Sequence, residues 1–153
     1  MTLEEFTAWW LRESPMLPPV GAYNVVNGNV GLTLYRDGPF QVQLWTFPPR
    51  AEIVDHKHPD VDTILVRVAG RFRLRRNGRV IPLRESGRAE WRGLKTWTDI
   101  IAAEDLHGVT VGPTGGAFLS ITERKDGRAP ESVHLVWEGA PLDERHAADL
   151  GAS

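Results

Sequence analysis

The chain is organised around the segment DHKHPDVDT, residues 55–63, which joins two strand-like segments. Within it, His56 and His58 are separated by a single residue. In an extended segment their side chains point to the same side, because successive side chains alternate across a strand. The spacing therefore directs two imidazoles towards one point. Whether they form a site depends on a barrel-like surrounding fold and on a third ligand from elsewhere in the chain.

On either side of this segment the chain reads as short strands separated by turn residues. Residues 40–47 alternate apolar with polar side chains, and Asn77-Gly78 is a strong hairpin signal. The strands predicted in this way are 30–35, 40–47, 53–58, 63–69, 71–76, 79–83, 98–102, 107–111, 117–124 and 133–138. Many short strands with such turns predict an all-β sandwich or a closed barrel.

The N-terminal residues follow a helical period instead. Thr2 and Glu5 have the spacing of a capping box, and Leu3, Phe6 and Trp10 form an apolar stripe. We therefore expect a short α-helix that packs on the sheet. The chain then divides into a helix within 1–15, a barrel within 20–140 and a polar C-terminal tail at 141–153, which contains a solvated His146.

Two polar stretches have simple interpretations. The segment from Arg84 to Lys95 lies between predicted strands, and we expect a loop there, either a surface excursion or a flap over a site. The basic run from Arg71 to Arg76 alternates arginine with Phe72 and Leu74, which is typical of the solvated face of a strand rather than of a nucleic-acid patch.

The overall composition excludes several classes of protein. The formal net charge is −2, so there is no basic field of the kind that nucleic acids require. The chain has no cysteine, so disulfides and thiolate ligands are excluded and a metal would be held by nitrogen and oxygen atoms. No segment approaches the roughly twenty apolar residues of a membrane span. We expect a cytoplasmic protein without a nucleic-acid or membrane partner.

A third histidine completes the pattern. His107 begins a predicted strand, which in a barrel would bring it opposite His56 and His58, although alone it would be read as a hydrogen-bonded strand residue. These residues resemble the cupins, a family with a double-stranded β-helix or jelly-roll barrel. The first cupin motif is His-x-His, three or four residues, Glu, six residues and Gly, which resembles the segment from His56 to Gly70 with Thr63 in place of Glu. The second, Pro-x-Gly-x-x-His, is similar to residues 102–107, where only the histidine is retained.

The resemblance, which covers about residues 23–138, implies a divalent metal held by His56, His58 and His107, with Fe(II) or Zn(II) as the expected ion. Thr63 replaces the usual glutamate ligand, so we favour a three-histidine site over one completed by Asp62 or Asp60. Neutral imidazoles leave the ion its full charge and leave coordination positions open.

Cupins without that glutamate include dioxygenases of thiols, diketones and aromatic acids. The resemblance therefore implies an iron-dependent dioxygenase acting on a small anionic or chelating substrate. The alternatives are a non-catalytic cupin that binds or senses a small molecule, and a metal-dependent isomerase or lyase. It also implies a homodimer, because such barrels associate through edge strands and N-terminal segments.

Other side chains are candidates for orienting the histidines or the substrate. The predicted polar group comprises Gln41, Gln43 and Thr63. Arg67 shares the strand face of Thr63 and would be a candidate for binding a carboxylate if it faced inward, although we expect an outward arginine. A set of aromatic residues is a candidate for an apolar lining of the barrel mouth, although we favour ordinary core packing for it: Tyr35, Trp45, Phe47 and Phe118. For His134 we expect a structural role.

Overall fold

The computed structural model describes residues 1–15, 23–26, 28–126 and 136–137, with the backbone alone for 23–26 and 136–137. The predicted tail at 141–153, together with His134 and His146, lies outside these residues. The helix is α1 (Leu3–Glu13), and the strands are β1 (Tyr23–Val26), β2 (Asn29–Asp37), β3 (Phe40–Phe47), β4 (Glu52–Lys57), β5 (Val61–Arg76), β6 (Arg79–Val80), β7 (Gly87–Trp91), β8 (Leu94–Ile101), β9 (His107–Arg124) and β10 (Val136–Trp137). No helix within the described residues has the length and apolar character that a membrane crossing requires.

The strands form a double-stranded β-helix in which every described pairing is antiparallel. One layer has the order β1-β2-β3-β9-β5-β8-β7, and the other is formed by β10, β4, β9, β5 and β6. β5 and β9 contribute to both layers, because residues 61–69 pair with 117–124 and residues 72–76 pair with 107–111. The predicted all-β jelly-roll fold with a short N-terminal helix is confirmed.

A glycine bend lets β5 pass from one layer to the other without a break. Gly70 has a φ of 79°, and a Cβ atom there would lie 2.1 Å from the carbonyl oxygen of Gly115 and 2.7 Å from the Cα of Gly116. Only glycine fits such a left-handed, crowded position. The predicted strands 63–69 and 71–76 are therefore one strand, and 107–111 and 117–124 likewise join in β9.

Two apolar clusters lie on opposite faces of the larger layer. The cluster between the layers contains Phe47, Leu65, Leu74, Ile81, Ile101, Val109, Val111 and Phe118. The other joins α1 to the outer face through Phe6, Trp10, Val42, Ile64, Val66, Leu119 and Ile121. Neighbouring side chains of a strand alternate between its two faces. Since Ile64 packs beneath the helix, Thr63 and Leu65 point into the barrel. The predicted capping box of Thr2 and Glu5 is present.

The segment from Arg84 to Lys95 is not a loop, contrary to our expectation. It contains a 3-10 turn (Leu83–Glu85), β7 and the first residues of β8. The hairpin turn at Arg92-Gly93 has positive φ at both residues, 51° and 79°, as in a type I′ turn. Trp91 donates a hydrogen bond from Nε1 to the Ser14 Oγ at 2.9 Å, so this hairpin packs at the end of α1 and is no flap. The predicted strand 79–83 is limited to Arg79–Val80.

Candidate metal centre

The structure brings the three predicted histidines together. His56 lies in β4, His58 follows β4, and His107 begins β9 as the Cα partner of His56. Their ring centroids are 4.4 to 5.0 Å apart, and one nitrogen atom from each ring can be chosen so that all three lie within 4.8 Å of one another. His107 and Val109 share one strand face, and Val109 belongs to the cluster between the layers, so the group faces the barrel interior.

Backbone carbonyls fix two of the rings. The Nδ1 of His56 lies 2.8 Å from the carbonyl oxygen of Val54, and the Nδ1 of His107 lies 2.9 Å from that of Asp105. A carbonyl oxygen only accepts, so Nδ1 carries the proton in both rings and each Nε2 presents a lone pair. Such orienting bonds are typical of histidines that ligate metals. In both cases the carbonyl belongs to the residue two positions before the histidine.

The geometry of His58 fits a ligand that shares an ion with His56. The two Nε2 atoms are 3.0 Å apart, a hydrogen bond in which the Nε2–H of His58 donates to the lone pair of the His56 Nε2. Two nitrogens bound at right angles to one ion, each at about 2.1 Å, would also be about 3.0 Å apart, so an ion would take the place of this proton with little movement of the rings. The Nδ1 of His58 is enclosed and has no hydrogen-bond partner in the described part of the chain. No carbonyl therefore restricts this ring to one tautomer, and the donor set fits a divalent ion.

The surroundings keep all three imidazoles neutral. Burial, reinforced by the neighbouring His107, lowers the pKa of His56 to about 4. Burial also holds the pKa of His58 well below its ordinary value, with His56 and His107 adding to the effect, and it lowers the pKa of His107. Since a metal binds only the neutral ring, the group is in the ligating protonation state at neutral pH.

The predicted polar residues line the same interior. Thr63 is 5% exposed, and Gln41 and Gln43 are each 2% exposed. Gln43 donates from Nε2 to the Thr33 Oγ1 at 3.3 Å, whereas Gln41 accepts from the Arg36 Nε at 2.7 Å. The neutral side chains of Thr63, Gln41 and Gln43 thus line part of the barrel interior.

Two charged candidates have partners from the protein. Asp62 accepts hydrogen bonds from the Ala103 backbone N–H at 2.7 Å and from the Lys125 Nζ at 3.1 Å. It lies one position from the inward Thr63 and outside the group of close histidines. Contrary to our expectation, Arg67 faces inward: it pairs with Phe118 across β5 and β9, and its guanidinium binds the carboxylate of Asp99 at 3.0 Å.

The predicted aromatic lining is divided between two faces. Phe47 and Phe118 pack between the layers with ring centroids 4.7 Å apart, and Trp45 stacks near Phe47 at 6.5 Å. Tyr35 instead lies beneath α1, 6.1 Å from Phe6. A register shift between Thr33 and Tyr35 breaks the alternation, so this residue turns to the outer face.

Sequence reasoning missed the groups that support the site. The carbonyls of Val54 and Asp105 orient two rings, and Asp99 holds Arg67. A backbone carbonyl leaves no signal in residue type, although its place two residues before each histidine recurs. A buried arginine, Arg124, was also missed. Arg124 lies an even number of residues after Phe118 along β9, and this separation could have identified it as an inward residue.

Comparison with solved structures finds the same architecture in other proteins. KdgF from Halomonas sp. matches with a TM-score of 0.55 at 14% identity, covering 71% of this chain and 91% of that one. An RmlC-like cupin from Shewanella frigidimarina matches with a TM-score of 0.52 at 16% identity, covering 67% and 83%. A protein with a double-stranded β-helix domain from Klebsiella pneumoniae matches with a TM-score of 0.51 at 18% identity, covering 89% and 95%.

Comparison of the sequence itself gives no such match: neither a family model nor a curated protein matches this chain. The likeness to the solved structures is therefore one of fold. It agrees with the strand topology, in which β5 and β9 serve both layers, and with the resemblance of the segment from His56 to Gly70 to the first cupin motif. On these grounds the chain has the cupin fold.

Proposed function

We propose that this protein is a metal-binding cupin whose His56, His58 and His107 hold Fe(II) or Zn(II), and that with iron it acts as a dioxygenase on a small anionic or chelating substrate. The observation that carries the proposal is the convergence of three neutral imidazoles, two of them with Nε2 lone pairs fixed by backbone carbonyls. A bound divalent ion would supply Lewis-acid charge and, if it is iron, redox chemistry with dioxygen.

The chain's own residues support a reaction that needs no protein base. Gln41, Gln43 and Thr63 are neutral, and the inward carboxylate of Asp99 is held by Arg67 and by the Ser86 Oγ. An isomerase or a lyase generally needs a positioned side chain that accepts a proton. The inward side chains within the described residues therefore favour a dioxygenase over an isomerase or a lyase. Because the rings add no negative charge, they also favour an anionic ligand.

A second candidate is a non-catalytic barrel that binds or senses a small molecule. Thr63 favours this candidate, because it stands where the cupins that the chain resembles usually carry a glutamate ligand. Both candidates share the group of three histidines. They differ only in whether the bound ligand reacts.

Dioxygen consumption separates the two candidates. Tag-free protein would be loaded with Fe(II) and mixed with small thiols, diketones and hydroxylated aromatic acids while dissolved oxygen is recorded. We expect uptake with at least one class, and loss of that uptake when zinc replaces iron or in His107→Ala. Iron-loaded protein that binds one of these compounds without consuming oxygen would instead support the non-catalytic candidate.

A homodimer and a cytoplasmic location also stay predictions. β7 is an edge of the larger layer in the described residues, and an edge strand is a common route to association. Sedimentation equilibrium would test the oligomeric state, with a mass of twice the chain expected.

A further inference from the structure

Arg124 is a buried cation on the inner face of the barrel. It is the last residue of β9, and its side chain is 7% exposed. Along β9 it has the same parity as Thr122 and Phe118, and Phe118 packs between the layers. A buried guanidinium is costly unless its donors are bonded, so its partners decide its role.

The guanidinium is under-bonded. Its Nε is enclosed without a hydrogen-bond partner, and no described residue accepts a hydrogen bond from its terminal nitrogens. The Asp126 carboxylate lies 3.4 Å from Nε, close enough for an ion pair only.

Another partly buried arginine of this chain shows the contrast. Arg75 bonds Asp55, Thr110, Glu52 and the Ile53 carbonyl. Four of the five N–H donors of Arg75 are therefore bonded within the protein, whereas the terminal donors of Arg124 remain for another acceptor.

Arg124 also lies next to the turn that carries a candidate ligand. Its Cα partner is Val61, and the Val61 N–H donates to the carbonyl oxygen of His58 at 3.2 Å. The following residue, Lys125, donates its N–H to the Asp60 carbonyl oxygen at 2.8 Å. The turn from His58 to Val61 thus connects the histidine group with the strand position of Arg124.

We propose that Arg124 forms an anion subsite of the barrel, where its terminal N–H groups bind the carboxylate of a ligand whose chelating end lies at the three histidines. This inference rests on the proposed function. A guanidinium binds a carboxylate through two parallel hydrogen bonds. The ligand class is therefore a chelating acid with a second, distal carboxylate. Asp126 acts as the competing counter-ion in the absence of ligand.

Matched acids test the subsite on zinc-reconstituted, tag-free protein. The probes are 2-oxo diacids of four, five and six carbons, each paired with the 2-oxo monoacid of the same length, so that only the distal carboxylate differs. Calorimetry should show at least one diacid binding at least tenfold more tightly than its monoacid. This advantage should vanish in Arg124→Gln, remain in part in Arg124→Lys, and be unchanged in Arg79→Gln, an exposed arginine paired with Glu85.

Asp126→Asn distinguishes a ligand subsite from a structural ion pair. Removal of the competing carboxylate should strengthen diacid binding several-fold. A purely structural pair predicts no gain, with the same loss of thermal stability in Asp126→Asn and Arg124→Gln. Either that pattern or a diacid advantage that persists in Arg124→Gln overturns the inference, as does the absence of any diacid advantage in zinc-loaded wild type.

Failure of the proposed metal site can be distinguished from failure of the anion subsite. If the wild-type chain does not bind zinc, glutarate is titrated into the metal-free protein. Binding that Arg124→Gln abolishes would keep the anion subsite and reject the metal site. No glutarate binding under these conditions would reject both.

Discussion

His56 and His107 are Cα partners across β4 and β9, and their ring centroids are 4.4 Å apart. The pairing joins residues that are far apart in the sequence and fixes the relative position of two candidate ligands through the sheet. Each ring is also held by a carbonyl from its own strand or the turn before it. The candidate site is therefore preorganised by backbone structure.

Removal of His107 should disrupt the site without disrupting the fold. In His107→Ala we expect zinc affinity to fall at least about 100-fold, because one of three ligands and its oriented lone pair are lost. Competition with a chromophoric chelator measures this affinity. Wild-type affinity in a folded His107→Ala would show that the third ligand is misassigned.

Asp62→Asn tests the competing four-ligand site. The carboxylate of Asp62 is bonded to the Ala103 N–H and to Lys125, so we expect zinc stoichiometry and affinity to stay within about threefold of wild type. A loss as large as that in His107→Ala would instead make Asp62 a ligand. The two variants are compared in the same chelator competition.

Acid should destabilise the metal-free protein through its histidines. The unfolded chain protonates these rings near pH 6.5, whereas folded His56 does so only near pH 4. Between these values the unfolded state binds more protons, so the free energy of unfolding falls as the pH is lowered, by about 1.4 kcal/mol per pH unit for each such ring.

Urea unfolding at pH 7.5, 6, 5 and 4.5 in the presence of a chelator measures this slope. In His56→Gln the slope should be smaller by the contribution of one ring. An equal slope in the variant and the wild type would contradict the lowered pKa of His56.

Gly70 should tolerate no side chain. Gly70→Ala combines a φ of 79° with a Cβ position 2.1 Å from the Gly115 carbonyl oxygen, so the backbone must shift. We expect a loss of at least about 2 kcal/mol in the free energy of unfolding.

The matched control is Gly93→Ala, which has the same φ of 79° and no atom within 4 Å of the added Cβ. Its free energy of unfolding should fall only by the cost of the left-handed conformation, about 1 kcal/mol. Equal losses in the two variants, measured by urea unfolding, would show that crowding at the bend is unimportant.

The helix should belong to the core and not act as a removable lid. Trp10 lies on the face of α1 that packs against the sheet and is fully buried, whereas its neighbour Trp9 is only partly buried. Trp10→Ala should cost about 3–5 kcal/mol of stability, and Trp9→Ala clearly less. Similar small losses in both variants would indicate a helix that is loosely attached.

The sequence was informative wherever local pattern and tertiary structure agree. The alternation in residues 40–47 predicted β3 with its observed bounds, and the capping box predicted the start of α1. His107 was found because a barrel makes distant strands neighbours. These features depend on periodicity and on residue type, which are visible in one chain.

The errors have physical causes that a single sequence hides. Gly70 was taken as a break between strands, although it bends one strand that stays paired. Arg92-Gly93 lacks the usual asparagine of a tight hairpin turn, so β7 was missed. A register shift turned Tyr35 to the outer face. Each outcome depends on contacts with another strand.

The proposed metal site requires His56, His58 and His107 to hold one divalent ion together. X-ray absorption at the metal edge of tag-free protein, reconstituted with zinc or iron and freed of excess metal, tests it most directly. We expect about one ion per chain with three imidazole ligands at about 2.0–2.1 Å. Less than a few tenths of an ion per chain, or a first coordination sphere with no more than one imidazole, would contradict it.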